Sequence, residues 1–234
     1  MAELHAGPGD LAPLVERVTR LRAAAGRSGR VLLGIAGAPG AGKSILVAAL
    51  AEELHARSVG TAVVGMDGFH LAQAELERLG RAARKGAVDT FDAEGYVALL
   101  RRVRVQRPGA PVVYAPRFDR ALEEPIGSAV PVPADVPVVL TEGNYLLHGD
   151  APWSDLARLL DERWFLVPDE EDRRRRLYER HRAFGRDPAE ARAFAEGSDQ
   201  ANAELVARGA ARADLIVRWR SAGRGAAADG QRWT

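Results

Sequence analysis

The stretch GIAGAPGAGKS, residues 34 to 44, restricts the folds open to this chain more than any other feature. Gly37, Gly42, Lys43 and Ser44 match the Walker A spacing G-x-x-x-x-G-K-S in full. That spacing has meaning only between a strand and a helix, and the flanks supply both. VLLGIAG reads as a short buried parallel strand, and KSILVAALAEELHAR as a helix. Glycines let the backbone wrap around phosphate oxygens, with N–H groups pointing inward and the positive end of a helix dipole behind them. Gly37, Ala38, Gly40, Ala41, Gly42, Lys43, Ser44 and Ile45 are therefore the expected nucleotide contacts. Lys43 would reach the β- and γ-phosphates and the Ser44 hydroxyl would ligate Mg²⁺, so ATP and Mg²⁺ are the expected cofactors.

A second strand, TAVVGMD, is expected to end at Asp67, completing a right-handed βαβ unit. VPVVLTEGNYLL, DERWFLVP and RADLIVRW read as further strands, and APVVYAPRFD as another. Helices are expected over 10–25, capped by Asp10, over DAEGYVALLRRVR, capped by Asp92, and over DEEDRRRRLYERHRAF. This alternation points to an open, mainly parallel α/β sheet.

Strand tips line the ligand crevice of such a sheet. Asp67, in MDGFH, is placed to accept a proton from a substrate hydroxyl or to orient a Mg²⁺-bound water; the plainer alternative is a turn or helix-cap residue. His70 is a candidate hydrogen-bond partner for a substrate. Glu142 ends an apolar run and is the second expected Mg²⁺ organiser beside Ser44. Seven arginines, Arg173 to Arg176, Arg180, Arg182 and Arg186, gather on and just after one helix. They read either as a solvated face, with Glu170, Glu171 and Asp172 at the helix start, or as a lid that brings one to three guanidinium groups onto a transferring phosphoryl group.

Composition excludes several classes. With no cysteine, thiolate metal sites, disulfides and a cysteine nucleophile are out. A net charge of +1 gives no field for nucleic acid or an anionic membrane. No apolar run has membrane-spanning length, and the N-terminal stretch lacks an h-region, so a cytoplasmic location is the expectation. There is no N-K-x-D guanine motif, no LSGGQ-like signature, and no H-R-D or D-F-G.

Taken in order, GAPGAGKS, MDGFH, RKGAVDTFD, VYAPRFDR, TEGNYLL and RRRRLYERHRAFGRD resemble the P-loop kinases that include uridine kinase, phosphoribulokinase and bacterial pantothenate kinase. The likeness runs from about Val31 to Val217 and is nearest to bacterial members described as nucleoside kinase-like or fructose-transport-system kinase-like. It implies a three-layer α/β sandwich with a small helical lid. Residues 1–30 are expected as an N-terminal helix on the core, 31–220 as the kinase domain with a lid around 170–190, and 221–234 as a flexible tail. It further implies Asp67 as base with Lys43, Arg182 and Arg186 in catalysis, Arg176 as a further lid contact, and Ser44 and Glu142 at the metal. His70, Lys85, Asp89, Tyr114, Arg117 and Asn144 would contact an acceptor that is a nucleoside, a pantothenate-like acid or a sugar. RKGAVDTFD is most like the corresponding segment of pantothenate kinases, whereas His70 stands where uridine kinases carry tyrosine. The expected partner is a small molecule, neither nucleic acid nor membrane, with homodimerisation left open. The alternative is a P-loop ATPase or regulatory nucleotide-binding protein with no such acceptor.

Overall fold

The computed structural model describes residues 2–26 and 29–220. Its elements run β1 (Ala2–Ala6), α1 (Ala12–Ala24), β2 (Val31–Gly37), α2 (Lys43–Ala56), β3 (Thr61–Gly65), α3 (Gln73–Arg78), α4 (Ala93–Val105), β4 (Val113–Asp119), β5 (Glu124–Val132), β6 (Val138–Gly143), α5 (Leu156–Leu159), β7 (Glu162–Pro168), α6 (Glu170–Ala183), α7 (Pro188–Glu196), α8 (Ser198–Ala207) and β8 (Leu215–Trp219). Six strands form one parallel sheet in the order β1-β8-β7-β2-β6-β3.

All seven residues of β2 are buried, as a central strand covered on both faces requires. Its side chains alternate between two cores. Leu33 and Ile35 pack with Leu14, Val18, Leu46 and Leu50 of α1 and α2, while Leu32 and Ala36 pack with Tyr96, Leu100 and Leu156 on the opposite face. Truncating one of these leucines to alanine would cost about 2–5 kcal/mol. Gly34 keeps the layers close, since a Cβ there would come within 2.5 Å of Leu160 Cδ1. Among the described residues no helix is long and apolar enough to cross a membrane.

Several expectations change. The first thirty residues contribute an edge strand as well as a helix: β1 pairs in parallel with β8, Ala2 opposite Leu215. Asp10 does not cap α1; its backbone N–H donates to Gly7 O at 2.9 Å, and Leu11 holds the cap position with no side-chain bond. Asp92 does cap α4, accepting from Gly95 N at 2.8 Å. β4 does not join the parallel sheet but pairs antiparallel with β5 as a separate hairpin. β3 stops at Gly65, so Asp67 lies in a single 3₁₀ turn, Met66–Phe69. The arginine-rich segment continues through α7 and α8, so the candidate lid has three helices. The expected tail at 221–234 lies outside the described residues.

Candidate active site

The tips of β2, β3 and β6 open into a cleft of about 580 Å³, walled by the β4–β5 hairpin on one side and by α6–α8 on the other. Pro39, Gly40, Gly42, Lys43, Ser44 and Ile45 line its floor. Gly40 (φ +75°) and Gly42 (φ +95°) hold conformations that L side chains rarely adopt, and a Cβ on Gly40 would sit 2.7 Å from Leu177 Cγ. The loop therefore takes its shape under α6. Arg173, buried, fastens the two by donating to Pro39 O at 3.2 Å.

Lys43 is buried, and its ammonium donates to Gly37 O (3.0 Å), Ala38 O (3.1 Å) and Asn144 Oδ1 (2.7 Å). Those three bonds use all its donors, so binding a phosphate oxygen means exchanging one of them. Burial lowers its pKa, partly offset by Glu142 and Asp67. Gly37 and Ala38 thus meet Lys43 through their carbonyls, and Ala41 is buried in the core behind the loop.

Ser44 Oγ donates to Glu142 Oε1 at 2.9 Å. Burial, reinforced by Asp67, raises the Glu142 pKa more than Lys43 and Ser44 lower it. Asp67 is the opposite case. Burial raises its carboxyl, but interactions with His70, Arg120, Lys43 and Arg180 outweigh that and hold it below the usual range. Arg120 Nη2 donates to Asp67 Oδ2 at 3.1 Å. Two carboxylates in one site are thus driven apart, one held ionised and the other disfavoured as an anion. A divalent cation beside Glu142 would reverse that preference. A hydroxyl, a carboxylate and open space for phosphates and water suit Mg²⁺, which takes few protein ligands. No cluster of three or more histidine or acidic side chains arranged for a metal occurs among the described residues.

Beyond Asp67 the cleft becomes aromatic. The half-buried His70 ring lies 4.0 Å from Phe91 and 4.8 Å from Phe118, and its Nδ1 is 2.8 Å from Asp67 O. Lys85 and Arg120 flank the Phe118 ring at 5.5 and 5.9 Å. Gly68 brings this turn under the hairpin: a Cβ there would stand 2.5 Å from Pro116 O.

On the helical side, Arg180, His181, Phe184, Arg186 and Asp199 line the cleft. Arg182 does not: it is exposed and donates to Arg186 O at 2.8 Å. Arg176 is half-buried behind the loop, its Nη1 3.3 Å from where a Gly42 Cβ would be. Tyr114 and Arg117 also lie outside. A register shift between Ala115 and Arg117 breaks the alternation of β4, turning Arg117 outward and Phe118 inward. Asp89 is held away by Arg84 at 2.6 Å and Arg81 at 3.4 Å. Phe91, Phe118 and Asp199 were not singled out from the sequence, and Arg180 stood there only as one of seven clustered arginines. A recess of about 510 Å³ on the outer face of α6 and α7 offers no comparable chemistry, since its Arg174 and Arg175 already pair with Glu170, Asp172 and Glu179.

Comparisons with known proteins agree with this arrangement. Residues 12–70, the cradle and the first two sheet crossings, match the family described as methylmalonyl Co-A mutase-associated GTPase MeaB. A Schizosaccharomyces pombe protein, provisionally named a uridine kinase, is 34% identical over 196 residues, 80% of this chain and 83% of that protein. A pantothenate kinase of Clavibacter sepedonicus is 36% identical over 129 residues, 54% of this chain and 39% of that enzyme. The crystal structure of a provisionally named fructose transport system kinase from Silicibacter sp. TM1040 superposes with a TM-score of 0.80 at 38% identity, covering 88% of this chain and 98% of that one. The MeaB match ends at His70, before the hairpin and the helical wall, whereas the Schizosaccharomyces pombe and Silicibacter matches cover 80% and 88% of the chain. The chain belongs to the P-loop kinase family of uridine kinase and pantothenate kinase, phosphotransferases that use an alcohol group as acceptor.

Proposed function

We propose that the protein transfers the γ-phosphoryl group of ATP to a hydroxyl of a small metabolite: a nucleoside, a pantothenate-like acid or a sugar. The observation that carries this is the position of Asp67. Its carboxylate, held ionised, stands between the glycine floor and the aromatic recess of His70, Phe91 and Phe118. A bare ATPase has no use for that recess.

ATP phosphates would lie against the backbone N–H groups of residues 39–44, with Lys43 exchanging a carbonyl for a phosphate oxygen. Mg²⁺ would be held through Ser44 and Glu142, neutralising charge on the phosphates. Asp67 would take the acceptor proton as the hydroxyl oxygen forms its bond to phosphorus and ADP departs. Arg180 and Arg186 would face the charge that develops in transfer. Lys85 and Arg120 at the mouth of the recess fit a neutral or singly charged acceptor. Several more cations would be needed around a second phosphate. A small-molecule partner and a cytoplasmic setting go with this reading.

The test is a phosphotransfer screen with MgATP and uridine, cytidine, pantothenate, fructose, ribulose 5-phosphate and glycerate. Acceptor-dependent ADP release with a phosphorylated product is the expected result. The same slow ADP release with every compound and with none would leave an ATPase or nucleotide switch. Clear preference for ribulose 5-phosphate would refute the acceptor class alone.

A further inference from the structure

Arg180 and Arg186 reach the cleft from different places, one on α6 and the other beyond its end, yet both trace back to one buried carboxylate. Asp199 sits in the first turn of α8 and is 9% exposed. Its Oδ1 lies 3.6 Å from Arg180 Nη2, and its Oδ2 is 2.7 Å from His181 Nε2. His181 is 7% exposed, and the other nitrogen of its ring, Nδ1, meets Arg186 Nη1.

The partners assign the tautomer. A guanidinium can only donate, so Nδ1 must present its lone pair to Arg186. The proton is then on Nε2, donated to Asp199. The ring transmits the pull of the carboxylate to an arginine that Asp199 itself does not touch. Phe194 of α7 completes the seat, with the Arg186 guanidinium 3.8 Å from the centre of its ring. Three helices could pack on apolar side chains without burying an anion, which is costly to desolvate. What the buried pair adds is a defined direction for two guanidinium groups.

We propose that His181 and Asp199 are positioning residues for phosphoryl transfer, fixing Arg186 through the imidazole and Arg180 directly. This rests on the kinase reading, in which these two arginines face the transferring group. A guanidinium misplaced by about 1 Å can slow a transfer by about a hundredfold. The loss should appear in kcat rather than in nucleotide affinity, because the arginines act on charge that develops during transfer.

The experiment measures MgATP kinetics with the best acceptor of the screen in wild type, His181→Phe, His181→Gln, Arg186→Ala and the double variant His181→Phe/Arg186→Ala. Phenylalanine fills the ring volume and breaks the relay. Glutamine can donate to Asp199 through its amide and accept from Arg186 through its oxygen. The expected result is a fall in kcat of about tenfold to a hundredfold for His181→Phe with the KM for ATP within about threefold, most of it regained in His181→Gln, and little further loss in the double variant beyond Arg186→Ala. Full kcat in a folded His181→Phe protein, or losses that multiply in the double variant, would overturn the proposal while leaving the kinase reading standing. If His181→Phe fails to fold, the recovery in His181→Gln is replaced by Asp199→Asn, for which unchanged kcat overturns it equally. Wild-type protein that transfers to no acceptor removes the kinase reading, and this inference falls with it.

Discussion

The floor of the cleft and its hairpin wall are built in opposite ways. On the floor, six lining residues come from one run, 39–45, and the polar groups are bonded to one another, with Lys43 and Glu142 buried. The wall draws His70, Lys85, Phe91, Phe118 and Arg120 from four separate segments, and of its charged groups Arg120 is exposed and Lys85 half-buried. The cradle presents its backbone N–H groups only in one loop conformation, with Gly40 and Gly42 at positive φ, so a phosphate site tolerates little variation. A wall made of loops and a hairpin off the main sheet can vary at its outer positions, such as Arg120, while Phe91, Val113, Ala115 and Val132 anchor it to the core. Under the proposed function, the shared phosphate chemistry would fall to the floor and acceptor choice to the wall.

The hardest test of that division is Asp67, which lies on the boundary. Asp67→Asn keeps the shape but cannot take a proton, and transfer should fall about 10²–10⁴-fold while calorimetry still records ATP binding. Loss of ATP binding with chemistry otherwise intact would move Asp67 to the floor. Next in size is Lys43→Ala, which should cost about 3–4 kcal/mol of transition-state stabilisation with every acceptor alike. An acceptor-dependent loss, or near-normal turnover, contradicts the assignment of Lys43 to the common machinery.

Arg120→Ala should act on the wall and, through Asp67, on the boundary, but not on the floor. A drop of about tenfold in kcat/KM for the acceptor is expected, with the KM for ATP unchanged. The pH profile sharpens this. Arg120 is one of the cations that lower the Asp67 pKa, so removing it raises that pKa. Activity needs the carboxylate, hence the acid limb of kcat/KM should move to higher pH; a limb that stays in place detaches Arg120 from Asp67. The smallest effect is expected from Tyr114→Ser, on the outer face of the hairpin at 53% exposure. Its kinetics should match wild type within about twofold, and a selective change in acceptor KM would put that face back into the site.

The same contrast explains what could be read beforehand. Glycine, lysine and serine in GAPGAGKS are contiguous, so their chemistry is visible as spacing, and the buried strands announce themselves as apolar runs. The wall has no such local record. Nothing in YAPRFDR reveals the register shift that exchanges Arg117 for Phe118 as the cleft residue, since a one-residue change in strand register flips the face. Among the clustered arginines, Arg180 and Arg182 look equivalent, and only packing against α8 separates the one beside Asp199 from the one turned to solvent. The strand AELHA escaped notice because an edge strand half in water carries little apolar pattern.

That edge strand also sets an order of events during synthesis. β1 leaves the ribosome well before its partner β8, which is made about two hundred residues later. At roughly 5–20 residues per second, β1 waits on the order of ten seconds or more with no neighbour to pair with. Once β8 emerges, its run LIVRW would itself be an open apolar edge, a template for joining other chains. β1 closes that edge and turns a charged border outward, with Glu3 bonded to Arg218 at 2.9 Å. β1 thus acts as a stopper for β8, and a protein lacking residues 2–6 is expected to show its defect as aggregation before any loss of nucleotide binding.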